Sequence, residues 1–234
     1  MSESILRVDS VSKIYRQGEL EVAALRDVTL NVDSGDFAVL AGPSGSGKTT
    51  LLNLMGALDR PTRGKVVVAG KDISNLSGRA LASLRLQHIG FVFQAYNLIP
   101  VLTAYENAEY VLLLQGVSAA ERERKVKEVL DAVGLSGLER RRPAELSGGQ
   151  QQRVAVARAI AAQPDLVLAD EPTANLDSKT ALELIELLGK LNRERGVTFV
   201  VSSHDERVIE RAARVVRLED GSVVSDSRSE PHAA

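Results

Sequence analysis

Gly42-Pro43-Ser44-Gly45-Ser46-Gly47-Lys48-Thr49 decides the fold. It matches the phosphate-binding pattern G-x-x-x-x-G-K-[ST] at every fixed position. The apolar run 37–41 leads in and helix formers at 50–55 follow, the strand–loop–helix context that the pattern needs. Glycines let the backbone curl without a Cβ clash, so successive N–H groups point inward at an anion. The helix that follows brings its positive dipole end to the same place. Residues Gly42 to Thr49, with Thr50 behind them, therefore read as a nucleotide site. Lys48 would reach the β- and γ-phosphates, and the Thr49 hydroxyl would hold Mg2+.

Outward from that loop, strand and helix patterns alternate. Residues 5–11 and 24–32 alternate apolar and polar, and read as strands of a small antiparallel sheet placed ahead of the loop. Residues 66–68 read as a short strand, 76–87 as a helix, and 89–93 as a strand closed by Gln94. Then the strands stop. Residues 103–115 and 118–133 read as helices, and Leu146-Ser147-Gly148-Gly149-Gln150 opens a third over 151–162. Alternation resumes with strands at 166–169 and 197–202, helices at 178–195 and 205–211, and a terminal hairpin of 214–218 with 222–225. Residues 227–234 are polar and are expected to form a disordered tail. This order predicts a single α/β domain with a parallel sheet and ligands at the carboxyl ends of its strands. Within it, 1–94 and 164–226 form the core with its antiparallel β subdomain, and 95–163 forms a helical insert.

Three further elements carry chemistry. The strand 166–169 runs into Asp170-Glu171, so both carboxylates fall on the edge that holds the phosphate loop. Asp170 ends the strand and suits the Mg2+ shell; Glu171, one step further out, suits an attacking water. The alternative is an acidic Asp-Glu-Pro turn. His204 follows the strand 197–202 and falls on the same edge, in reach of a γ-phosphate oxygen, unless it is a helix cap or surface residue. Gln94 ends a strand in the same way, and an amide can ligate Mg2+ or orient water without titrating. The glycines after Ser147 make a second anion site at a helix start. One chain cannot easily wrap two glycine loops around one phosphate tail. A head-to-tail dimer uses both, with Ser147, Gly148, Gly149 and Gln150 facing the γ-phosphate on the partner; the plainer alternative is an N-cap by Ser147.

Composition narrows the rest. The 234 residues are 44% hydrophobic and 26% charged, which suits a packed core. A net charge of −2, from 29 basic and 31 acidic residues, gives no electrostatic footprint for nucleic acid. There is no cysteine, which excludes disulfides and thiolate metal sites, and His88, His204 and His232 are scattered. No leader pattern opens the chain and no window has the apolar length that spans a bilayer, so a soluble intracellular chain without direct membrane insertion is expected. Five of the eight Tyr and Phe residues lie between Phe91 and Tyr110. Phe91 and Phe93, two apart on a strand, are expected in the core. Tyr96, Tyr105 and Tyr110, with Leu98, form a candidate docking surface, with ordinary packing inside the insert as the alternative.

Taken together, these motifs resemble an ATP-binding cassette (ABC) ATPase over nearly the whole chain. The phosphate loop stands at 42–49, LSGGQ letter for letter at 146–150, Asp170-Glu171 next, then Asn175-Leu176-Asp177, and His204 last. The resemblance implies an ABC ATPase fold: a P-loop NTPase (RecA-like) core, an antiparallel β subdomain and an inserted all-helical subdomain. It implies ATP and Mg2+ as cofactors, with Thr49, Gln94 and Asp170 on the metal, Asp170 through water. Tyr15 matches the adenine-stacking aromatic, Gln94 the glutamine loop, Asp177 the D-loop and His204 the switch histidine. Lys48, Gln94, Glu171 and His204 form the implied catalytic set. The text of 93–107 is further similar to ATPase subunits of the lipoprotein-releasing, macrolide-export and cell-division type. That implies a homodimer, peripheral on the cytoplasmic face of the inner membrane and bound to an integral membrane permease, with hydrolysis driving lipoprotein release or export. Two other functions fit the same motifs: regulation of a periplasmic cell-wall hydrolase through a cell-division-type permease, or a soluble ABC ATPase without a transport role.

Overall fold

The computed structural model describes residues 4–18 and 20–228. The glycine loop leaves strand β3 (Phe37–Ala41), buried along its whole length, and enters helix α1 (Lys48–Met55). Strand β3 is central in a six-stranded sheet of order β10-β9-β3-β8-β7-β6. It runs parallel to β8 (Phe199–Ser203) and β9 (Arg214–Glu219). Beyond β8 lie β7 (Leu166–Asp170) and β6 (Ile89–Val92), both parallel, while β10 (Ser222–Arg228) closes the other edge antiparallel to β9. The short helix α7 (Glu206–Ile209) connects β8 to β9.

Both faces of this sheet are covered, which is why its strands read as apolar runs. Successive side chains point to opposite faces. Phe37, Val39, Ala41, Val167, Ala169, Phe199 and Val201 face one core, shared with α3 (Ala104–Leu114), α4 (Ala119–Ala132), α5 (Gly148–Ile160) and α6 (Ser178–Arg195). Leu40, Leu166, Leu168 and Val200 face the other. There they meet α1, α2 (Gly78–His88) and a four-stranded sheet of order β2-β1-β4-β5. Its strands are β1 (Ser4–Gln17), β2 (Leu20–Asp33), β4 (Arg63–Val68) and β5 (Lys71–Asp72). Between β6 and β7 the chain forms only α3, α4, a 3-10 turn at Pro143–Glu145, and α5. No helix among the described residues is long and apolar enough to cross a membrane.

Several elements differ from the sequence expectation, each for a local reason. Strands β1 and β2 are 14 residues each, longer than the alternating stretches that marked them. Ser10 and Asp27 adopt φ of 47° and 49°, and the register of the pair shifts nearby, which breaks the alternation. The small sheet does not lie wholly ahead of the glycine loop, because β4 pairs with β1 (Leu6 opposite Val68). Helix α5 begins at Gly148, since Ser147 accepts from Gln150 N and Gln150 Oε1 accepts from Ser147 N. Helix α7 ends at Ile209, where Arg211 and Ala212 amides turn back three residues to Val208 and Ile209. Strand β6 ends at Val92, so Phe93 and Gln94 lie beyond it. Phe91 and Phe93 are half-buried and stack with centroids 5.7 Å apart; Phe91 packs against the second core, whereas Phe93 is not part of either core. Ser227 and Arg228, expected in the tail, belong to β10. The remainder of that expected tail, 229–234 with His232, lies outside the described residues.

Candidate active site

Two glycines let the phosphate loop sit where it does. Gly42 has φ 153°, and a Cβ there would stand 2.2 Å from the Leu218 carbonyl oxygen of β9. Gly47 has φ 103°, and its Cβ would stand 2.7 Å from the Ala24 oxygen of β2. The loop is thus wedged between the two sheets. Gly221 N–H, from the β9–β10 turn, donates to Ser46 O at 3.1 Å. Helix α1 has no side-chain cap, so its first amides are left for a ligand. The Lys48 side chain is buried and curls over its own loop, with Nζ donating to Gly42 O at 2.7 Å and Pro43 O at 3.0 Å. Glu171 Oε1 lies 3.7 Å from the same Nζ.

The carboxylates reach this loop from β7. Asp170 Oδ1 accepts from Thr49 Oγ1 at 3.2 Å and from Ser202 Oγ at 2.7 Å. The Glu171 amide donates to the same Ser202 oxygen at 2.9 Å, which turns the hydroxyl proton toward Asp170. Glu171 itself has φ 44°, a left-handed backbone that re-aims its side chain off the strand direction. Its Oε1 then meets His204 Nδ1 at 3.0 Å. So the structure brings Lys48, Thr49, Asp170, Glu171 and His204 together. Ser202, fully buried, was not singled out in the sequence; the signal was a hydroxyl at the end of an apolar strand, in register with Asp170.

No cluster of three or more His, Cys, Asp or Glu able to hold a metal occurs among the described residues. The adjacent Thr49 hydroxyl and Asp170 carboxylate are instead the hard oxygen pair that suits Mg2+ bound jointly with substrate phosphates.

The remaining candidates bond to other partners. Tyr15 is half-exposed, and its hydroxyl donates to Asp59 Oδ2 at 2.9 Å. Gln94 is exposed, and its backbone carbonyl accepts from Asn175 Nδ2 at 2.9 Å. Asp177 caps α6, accepting from the Lys179 and Thr180 amides and from Thr180 Oγ1. The Thr180 hydroxyl and these amides hold its carboxyl below the usual range. In the signature turn, a Cβ on Gly148 would come within 2.9 Å of the Tyr96 hydroxyl, and one on Gly149 within 2.4 Å of Thr180 Cγ2. Ser147 caps its own helix, as the plainer alternative predicted.

Of the candidate docking residues, Tyr110 is exposed, Tyr96 is half-buried, and Leu98 and Tyr105 pack against the helical core. Leu113 and Leu114 are exposed on the same helix as Tyr110. Leu114 lines an open groove of about 490 Å³ together with Leu58, Phe91, Phe93 and Val111. Arg158 also lines it, and donates to the Tyr96 and Asn97 carbonyls at 3.0 and 2.5 Å. Both carbonyls belong to residues with reversed backbone, φ 59° and 50°, which no residue pattern in the chain announces.

A glycine cradle, a hydroxyl–carboxylate pair and a glutamate–histidine pair at the carboxyl edge of a parallel sheet define a P-loop nucleoside triphosphatase. The chain belongs to the ABC transporter family, whose model matches residues 25–174, and it is an ATPase. It is 49% identical to an uncharacterized ABC transporter ATP-binding protein of Thermotoga maritima, over 94% of each chain. It is 48% identical to the lipoprotein-releasing system ATP-binding protein LolD 1 of Rhodopseudomonas palustris, over 94% of this chain and 98% of that one. The macrolide export ATP-binding/permease protein MacB of Bradyrhizobium diazoefficiens is 44% identical over 100% of this chain, which spans 36% of that longer protein. Among solved structures, a dimeric post-hydrolysis state of the ATP-binding cassette MJ0796 bound to ADP and Pi superposes with a TM-score of 0.87. That cassette is 44% identical, and the match covers 95% of this chain and 98% of that one.

Proposed function

We propose that two copies of this chain bind two ATP molecules head to tail, hydrolyse them, and drive an integral membrane permease in lipoprotein release or export. The observation that carries this is the convergence of Lys48, Thr49, Asp170, Glu171 and His204 on one glycine loop. Loop amides and Lys48 bind the phosphates, and Tyr15 carries the base. Thr49 and Asp170, with Gln94, would hold Mg2+, which neutralises phosphate charge when bound. Glu171 accepts a proton from the water that attacks the γ-phosphorus, and the bond to the β–γ bridging oxygen breaks, leaving ADP and phosphate. His204, already bonded to Glu171, holds that carboxylate in line and meets the γ-phosphate.

Ser147, Gly148, Gly149 and Gln150 would close the site bound by the partner, with Asp177 beside them. The dimeric form of the MJ0796 cassette and the ATP-binding/permease name of the MacB relative support this arrangement. In this reading 1–94 and 164–226 bind nucleotide, while 95–163 presents the signature turn and, around Tyr110 and its neighbouring groove, a face for the permease. The permease would hold the chain at the cytoplasmic face of the inner membrane. The expected result for Glu171→Gln is retained ATP binding with hydrolysis lost and an ATP-dependent dimer in size-exclusion chromatography. Unchanged turnover in that variant would sink the assignment.

A further inference from the structure

Base recognition in P-loop sites needs a platform held at a fixed distance from the phosphate cradle, and a half-exposed tyrosine near the end of a strand is a poor platform unless something fixes it. Tyr15 lies near the end of β1, 41% exposed. Its hydroxyl donates to Asp59 Oδ2 at 2.9 Å and lies beside the Thr50 hydroxyl of α1. Asp59 follows α1, and its other oxygen accepts from Lys13 Nζ at 2.7 Å and from the Arg60 amide at 2.7 Å. Lys13 Nζ also donates to Arg60 O at 2.8 Å and stands 4.9 Å from the centre of the Tyr15 ring. The Lys13 side chain is largely buried, so the ammonium is a fixed part of the site.

From this arrangement we infer that Asp59 is the positioning residue for base recognition. One carboxylate grips the tyrosine hydroxyl with one oxygen and the lysine with the other. The ring is thereby locked in plane and tied to the helix that begins at the phosphate loop. The ammonium occupies one face by cation–π contact, which leaves the opposite face for the base. Burial raises the Tyr15 hydroxyl above its ordinary range and the Asp59 carboxylate adds to the shift, so the phenol stays a donor throughout the physiological range. Burial works against the Asp59 charge, but the bonds from Lys13, Arg60 N–H and Tyr15 outweigh it and keep the carboxyl below the usual range. The bonds of Lys13 and of the Asp59 carboxylate go to each other, to Tyr15 and to the Arg60 backbone, and none reaches the loop 42–49, so the clamp acts on the ring and not on the cradle. The inference rests on the reading of Tyr15 as the base platform.

Its test compares ATP with inorganic tripolyphosphate, which has the phosphates and no base, by equilibrium binding to the full chain. Asp59→Asn and Tyr15→Phe are each expected to weaken ATP binding about 5- to 20-fold, the cost of about one to two kcal/mol of lost bonding. Tripolyphosphate binding should stay unchanged, which also reports that the variants are folded. The double variant should lose little more than either single one, since both cut the same bond. Tyr15→Ala separates the two claims. If it leaves ATP binding intact, the platform reading fails and takes the inference with it. If it weakens ATP while Asp59→Asn does not, or if Asp59→Asn weakens ATP and tripolyphosphate equally, the platform stands and the positioning role of Asp59 is overturned.

Discussion

Ser202 illustrates how one atom can set two functional groups. Its oxygen receives the Glu171 amide and gives its proton to Asp170, so both carboxylates are referenced to β8. Ser202→Ala removes that reference. The expected outcome is turnover lowered about 10- to 100-fold, the range typical of groups that orient metal ligands, with ATP binding little changed and a higher Mg2+ requirement. Ser202→Thr, which retains the hydroxyl, should recover most of the loss. Steady-state hydrolysis across a Mg2+ titration checks both variants. The phosphate loop and the Asp-Glu pair were legible because their chemistry is written in consecutive residues. Ser202 meets Asp170 across 32 positions and Asp59 meets Tyr15 across 44, and no local pattern marks either pair. The reversed backbone at Glu171 was equally silent, since nothing about a glutamate announces φ 44°.

Elements were read most accurately where periodicity ran unbroken and least where a cap or bulge intervened. Helix α3 starts as expected because Thr103 and Glu106 form a reciprocal cap. The loop before it, 97–103, has no such pattern, yet it is held from within α3 by Asn107. That fully buried amide accepts from Ile99 N at 2.8 Å and donates to the carbonyls of Ile99, Leu102 and Thr103 at 3.0–3.1 Å. Asn107→Ala takes the side-chain partner from the Ile99 amide and the Leu102 carbonyl, while Ile99 O and Thr103 O keep backbone donors, at an expected cost of about 1–3 kcal/mol. Chemical denaturation measures that loss, and limited proteolysis should show new cleavage within 97–103. Aromatic density suggests a docking surface at Tyr96, Tyr105 and Tyr110 with Leu98. Tyr105 and Leu98 pack partly buried against the helical core, while Tyr110 stays exposed with Leu113 and Leu114 on the same helix.

At the scale of the molecule, the chain is two cores separated by one sheet, with the catalytic edge where they meet the loop. Charge pairs stitch its rim. Arg214 is buried and bonded to Asp36 and Asp226, and the Arg214 guanidinium keeps the Asp226 carboxyl below its usual range despite burial. Asp59 and Asp205 are depressed as well. The unfolded chain therefore binds more protons than the folded one as pH drops past the ordinary carboxylate values of about 4. The stability these groups lend is fully present above that pH and is lost as pH falls through their lower folded values. Melting temperature should accordingly be flat near neutrality and fall steeply below about pH 4, and Asp226→Asn should flatten part of that fall.

The phosphate loop supplies its own lysine with partners. Lys48 already has two carbonyl partners and a glutamate nearby, so an arriving triphosphate swaps bonds rather than adding them. For this lysine each bond gained to phosphate is offset by one given up to a carbonyl, and after cleavage the ammonium has somewhere to return. On the proposed function, such a cradle empties readily and resets itself, a property suited to a motor that cycles and unsuited to a reservoir.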